Sequence, residues 1–227
     1  MTQAAFQQQL KTAFENERDQ VAAQCSKEVN FESLNTAIVN FYRRLDNTIT
    51  GVSTHIEQDI QCQEGCSYCC HFRVDVSANE VFAIVEHVRS NFTSDQLEKL
   101  VQKATHNKTK LELLSQAKRI VTNIACPLLE DNTCSIYSMR PSMCRKMHST
   151  NVESCQHSYD NPEDKNIENA EHPVLSAITM TMLTAAREGF SALGLDKTVY
   201  DLNDVLIAAL SDSKYKKRWL NAKKAFP

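Results

Sequence analysis

Hydrophobic positions recur along this chain with a helical period. From residue 32 to residue 60, Leu34, Ile38, Phe41, Leu45, Ile49, Val52, Ile56 and Ile60 follow at gaps of 4, 3, 4, 4, 3, 4 and 4. That spacing sets one apolar stripe on one helix face, with Gly51 tolerated inside it at modest cost. It predicts core packing and a long helix that delivers the chain directly to Cys62. Residues 3–24 also read as helical, but weakly amphipathic, with Cys25 as the break. Ser77-Ala-Asn-Glu80 has the form of a capping box that opens a helix with Val81, Ile84, Val85 and Val88 inward. The alternation Arg73-Val-Asp-Val76 before it suits a short extended piece.

A second long stripe opens at Thr93-Ser94-Asp95 and runs through Leu97, Leu100, Val101, Ala104, Leu111, Leu114, Val121 and Ile124. It ends at Cys126-Pro127, because a residue before proline is pushed out of helical geometry. Residues 149–173 are polar and read as a long loop. Pro173 suits the first turn of a helix over 174–193, with Leu175, Ile178, Met182, Ala186 and Phe190 inward and Gly194 as its stop. A short helix over 201–211 and a basic helix over 213–225 close the chain.

Composition narrows the fold class. Only four glycines and five prolines occur in 227 residues, too few to punctuate a many-stranded sheet. The expected architecture is all-α: a single helical, bundle-like domain over 1–227, with an irregular cysteine-rich metal-binding insert at 62–155. The net charge of −3 gives no general drive toward nucleic acid. Residues 214–227 concentrate six Lys or Arg with no acid, together with Trp219, and read as a solvated basic helix end. No apolar run approaches the roughly 20 residues that span a bilayer, and the first residues lack the pattern of a signal peptide. A cytoplasmic chain, without a membrane partner, is the expectation.

The nine cysteines then dominate the picture. Cys62, Cys66, Cys69 and Cys70 fall within nine residues, and Cys126, Cys134, Cys144 and Cys155 form a second set. Cys25 stands apart and reads as a small buried hydrophobe. In a reducing compartment, clustered thiols point to a metal or iron–sulfur site and away from disulfides. In turn or helical geometry Cys66, Cys69 and Cys70 share one face, and Gly65 lets the backbone bend there. Asp131-Asn132-Thr133 is a turn signal that would set Cys126 and Cys134 across a hairpin-like loop. Arg140 and Arg145 flank Cys144, where positive charge would stabilise thiolates; loop salt bridges are the competing role. Tyr68 and Tyr137 read as packing groups over the site. His71 and His148 adjoin the cysteines, and solvated histidine is preferred for both over a ligand or an outer-shell donor.

The order Cys-x2-Gly-Cys-x2-Cys-Cys, then Cys-Pro-x-Leu, then Cys-x-Ile-Tyr-x2-Arg-Pro-x2-Cys-Arg resembles the YkgJ-type cysteine-cluster family. That family is described as zinc- or iron-chelating, and the flagellin lysine N-methylases share its cluster. The resemblance covers about residues 62–155. It implies Cys62, Cys66, Cys69, Cys70, Cys126, Cys134 and Cys144 as metal ligands, with Cys155 at the trailing position.

Eight thiolates could close two zinc sites, or hold one 4Fe–4S cluster with four thiols left over. The iron–sulfur reading is preferred, because the first group is unlike paired Cys-x2-Cys zinc knuckles. Three functions compete: an iron–sulfur or zinc protein supporting redox or modification chemistry, a zinc-stabilised helical adaptor with a protein partner, and a lysine methylase-like enzyme. Whether the chain is an enzyme stays open at this level. Cys62-x3-Cys66-x2-Cys69 also spells the radical S-adenosylmethionine triplet, but the β/α alternation of those barrels is missing.

Overall fold

A computed structural model describes residues 2–25, 27–63, 65–168 and 170–227. Its frame is built from α1 (Gln3–Cys25), α2 (Phe31–Ser53) and α8 (Pro173–Ser191), which pack on one another. Asn30 and Ser33 form a reciprocal capping box that starts α2, satisfying backbone donors a helix start leaves unpaired. Leu34, Ile38, Phe41 and Leu45 of the α2 stripe are all fully buried. The tightest approach in the frame lies at Gly189 of α8. A Cβ there would fall 2.7 Å from the Arg18 carbonyl oxygen and 2.8 Å from Val21 Cβ. Buried Glu17 of α1 accepts two forked hydrogen bonds from Arg44 of α2, so the charge enters the interior paired.

The remaining helices are α3 (Ala78–Asn91), α4 (Ser94–Glu112), α5 (Gln116–Ile120), α6 (Ser142–Lys146), α7 (Val152–Asp160), α9 (Leu202–Ser211) and α10 (Lys214–Leu220). Two short 3-10 turns, Tyr68–His71 and Tyr137–Met139, accompany them. Among the described residues the strands are two-residue pairs only. β1 (Asp75–Val76) pairs antiparallel with β4 (Tyr200–Asp201), and β2 (Leu129–Glu130) with β3 (Thr133–Cys134). The protein is all-α, as its glycine and proline content implies. One continuous apolar core runs from Val21 to Phe226. No helix among the described residues is long and apolar enough to cross a membrane.

Four expectations need correction. The α2 helix stops at Ser53 and does not deliver the chain to Cys62. The Thr54 hydroxyl and the His55 ring both turn back to the Gly51 carbonyl, capping the helix one turn past its buried stripe. The second stripe likewise breaks after α4. The Ser115 hydroxyl accepts the Lys118 N–H to start α5, Leu113 is left 83% exposed, and Ile124 is buried beyond the helices on irregular backbone. The polar stretch 149–173 contains α7, N-capped by Asn151; Val152, Cys155 and Tyr159 give it a helical spacing that is easily missed among polar neighbours. Finally, the basic segment ends its helix at Leu220, and its tail is buried. Trp219 and Phe226 both lie against Phe82 at ring distances of 5.1 and 5.5 Å, so the apolar face of this tail seals the core while its lysines remain outside.

Candidate metal centre

The two cysteine-bearing segments meet. The Cys126 N–H donates to the Cys70 carbonyl at 2.7 Å, and the Ile124 N–H to the His71 carbonyl at 2.9 Å. The Ser67 hydroxyl reaches Asn132 Oδ1 at 3.1 Å. Around this seam lies a cavity of about 250 Å³ whose wall carries Cys62, Cys66, Cys69, Cys70, Cys126, Cys134 and Cys144. Seven of the eight clustered cysteines thus face one space, and all nine cysteines are free thiols. Cys155 stands apart from that wall, on α7. Cys25 is fully buried in the core, its Sγ 3.5 Å from the Ser33 carbonyl. The volume falls below the roughly 300–1,000 Å³ of small-molecule sites, which suits an ion or compact cluster better than an organic substrate.

Local chemistry explains how each thiol is held. Asp131 and Asn132 both adopt positive φ, 46° and 62°, the backbone of a two-residue hairpin turn that Asn and Asp tolerate. That turn pairs Cys134 with Leu129 and fixes its direction. Cys144 rides on α6, whose first N–H, from Ser142, donates to Glu80 Oε1 at 2.8 Å. Glu80 is 2% exposed and also accepts from the Ser77 N–H and hydroxyl and from the Tyr42 hydroxyl. One buried carboxylate therefore caps two helices at once. The capping-box reading found Glu80, but nothing in the sequence tied it to a helix 62 residues later. Lys103 of α4 holds the hairpin through the Leu129 carbonyl and the Glu130 carboxylate, a role invisible without the fold.

The thiols are electrostatically frustrated as a set. Burial pushes Cys126 up to about 12, with Cys134 and Cys69 adding repulsion that the Leu128 N–H only partly offsets. Burial likewise raises Cys134, against the help of the Ile136 N–H, and raises Cys144 well above an ordinary thiol, with Cys126, Cys69 and Cys134 contributing. A hydrogen bond with the Cys70 thiol, then burial, drives Cys69 far upward. Cys62 is exposed as a residue, yet its sulfur is partly desolvated, and with Cys69, Cys66 and Cys155 nearby it rises to about 11. So many thiols cannot ionise together without a cation, and soft thiolates are the donors that zinc and iron–sulfur centres take. Among the described residues no three Cys, His, Asp or Glu side chains already stand in a ligating arrangement.

Residues 61–170 match the model of the CxxCxxCC family, described as a putative zinc- or iron-chelating domain. The matched region covers just under half of the chain. No curated protein and no solved structure matches the chain. In this region the neighbouring charged and ring groups contact other parts of the protein. His148 is 6% exposed, not solvated as expected. Its Nδ1 contacts the Lys146 carbonyl at 2.9 Å and its Nε2 accepts the His172 N–H at 2.9 Å, so both ring nitrogens are engaged in the neutral Nδ1–H form. His71 Nδ1 lies 3.0 Å from the Ser67 carbonyl, and its ring packs edge-on against Tyr159. Arg145 is buried, pairs with Asp46 and stacks over Tyr42 at 4.2 Å, a bracing role. Arg140 lies over Tyr137 at 3.9 Å on the cavity wall, and its charge partly offsets the rise at Cys134, where Arg145 helps, and at Cys69. Tyr68 packs on Tyr159 at 5.8 Å.

Proposed function

We propose that the chain is a metal-binding protein of reducing compartments whose cysteine cluster holds an iron–sulfur centre supporting redox or modification chemistry. The observation that carries this reading is the single cavity walled by seven free thiols from two distant chain segments. Bound there, such a centre would supply one-electron transfer or Lewis acidity. The chain's own contribution is to hold the sulfurs, to exclude bulk water with Phe72, Leu128, Ile136 and Met143, and to place Arg140 where positive charge offsets anionic thiolates. The positive charge of Arg140 would raise such a cluster's reduction potential. The competing reading is a zinc-stabilised helical adaptor whose function is partner binding; the short two-residue strands around the site favour it, since such elements gain order from a structural metal.

Purification without oxygen, with visible absorbance and analysis of iron, acid-labile sulfide and zinc, separates the two. Brown protein with iron and sulfide in equal amounts is the expected result. Colourless protein holding about two zinc ions per chain, enough to use every clustered thiol, would overturn it in favour of the adaptor.

A further inference from the structure

The cavity wall is not uniform. Cys126, Cys134 and Cys144 pack directly against the apolar core, whereas Cys62, Cys66, Cys69, Cys70 and Cys155 do not. Each of the three core-backed thiols sits on an element with its own anchor. Cys126 is tied by backbone to Cys70, Cys134 is paired in the hairpin, and Cys144 rides on the helix capped by Glu80. The Leu128 and Ile136 N–H groups, each two residues past a cysteine, are aimed at the sulfurs of Cys126 and Cys134. Cys69 faces the same three across the cavity from the 3-10 turn docked on residues 124–126, its charge felt at all three sulfurs, whereas the Cys70 thiol is engaged with Cys69. By contrast Cys62 is exposed and lies in the irregular stretch after α2, Cys66 follows Gly65 at φ +90°, and Cys155 is off the wall.

Ordering an irregular segment costs about 1–2 kcal/mol per residue, so a ligand set already fixed by the fold binds at lower cost than one drawn from loose chain. We propose that Cys69, Cys126, Cys134 and Cys144 are the principal four-thiolate ligand set, and that Cys62, Cys66, Cys70 and Cys155 lie outside it. The motif that gives the domain its name then contributes one ligand, and the downstream segment contributes three. This rests on the metal-binding reading above.

The test uses the full chain prepared anaerobically. After a chelator wash, residual zinc and iron are counted in single Cys→Ser variants, with circular dichroism to confirm folding. Replacing a true ligand should speed metal release by more than the roughly 10–100-fold typical of an outer-shell change. C69S, C126S, C134S and C144S should therefore be stripped, while C62S, C66S, C70S, C155S and the core control C25S retain metal. Because a core-backed variant could misfold, iodoacetamide labelling mapped by mass spectrometry on the unsubstituted protein gives a second measurement. The four principal thiols should be protected only while metal is bound, and Cys62, Cys66 and Cys155 labelled with metal still in place. Metal-dependent protection of Cys62 and Cys66 equal to that of Cys126 and Cys144 would overturn the partition. Unsubstituted protein carrying neither zinc nor iron would instead refute the metal reading itself.

Discussion

The helical frame and the cysteine-bearing segment solve the problem of holding shape in different ways. In the frame, α1, α2 and α8 bury whole apolar stripes, and close approach at Gly189 lets two helices touch through backbone. Each stripe contributes through area removed from water, which needs no particular partner geometry. Around the thiols, at residues 61–76 and 125–150, the elements are two-residue strands, single 3-10 turns and the five-residue α6. Such pieces are too short to be stable alone. They are held by directed contacts: the Cys126–Cys70 backbone bond, the Lys103 clamp on the hairpin, and the buried Glu80 carboxylate. The frame is tolerant and the thiol segment is exacting, and the joint between them is where a single substitution should be felt in both.

Glu80→Ala breaks that joint and carries the largest expected effect. The Ser77 and Ser142 N–H groups and the Tyr42 hydroxyl would lose their acceptor in a buried place. At about 1–3 kcal/mol for each donor left unpaired, the loss is roughly 3–5 kcal/mol in chemical unfolding, and Cys144 should become the most labile thiol toward alkylation. Stability within 1 kcal/mol of the parent, by the same scale, would show that the carboxylate is not the joint.

Gly189→Ala sharpens the comparison from the frame side. Helix propensity alone would gain up to about 1 kcal/mol. The added Cβ, however, meets the Arg18 carbonyl at 2.7 Å, and over-packing costs about 1–3 kcal/mol. The clash is with backbone and should win, lowering the urea midpoint while metal content stays that of the parent. A rise in midpoint would show that α1 and α8 are not in such close contact.

The smallest effect concerns pH and lies far from the thiols. Burial opposes ionisation of Asp196, but hydrogen bonds from the Tyr200 hydroxyl, the Ala225 N–H and Thr198 outweigh it and hold the carboxyl below its usual range. A depressed folded pKa contributes stability above the unfolded value of about 3.9 and loses it as pH falls through the folded one. Asp196→Asn should therefore flatten the acid limb of the stability curve below about pH 4 and leave the metal untouched. An unchanged acid limb would remove Asp196 from the account.

How far the sequence could be read follows the same division. Leu34 to Leu45, the Ser77–Glu80 box, Pro173 and Gly194 announce their elements because helix periodicity and capping are local. The ends of α2 and α4 were less legible, since Ile56, Ile60 and Val121 keep the helical spacing while local hydroxyl and imidazole groups end the helices earlier. The tail misled for another reason: its lysines set the composition, while Trp219 and Phe226 set the packing.

By itself the sequence determined that this chain is helical and that eight of its nine cysteines fall in two clusters, because both messages are written in spacing between near neighbours. Only the tertiary structure decided that Cys69 faces Cys126, Cys134 and Cys144, that Cys155 stands aside, and that Glu80 supports the helix beneath Cys144. Those relations join residues tens of positions apart, and chain topology fixes them only once the core between has been packed.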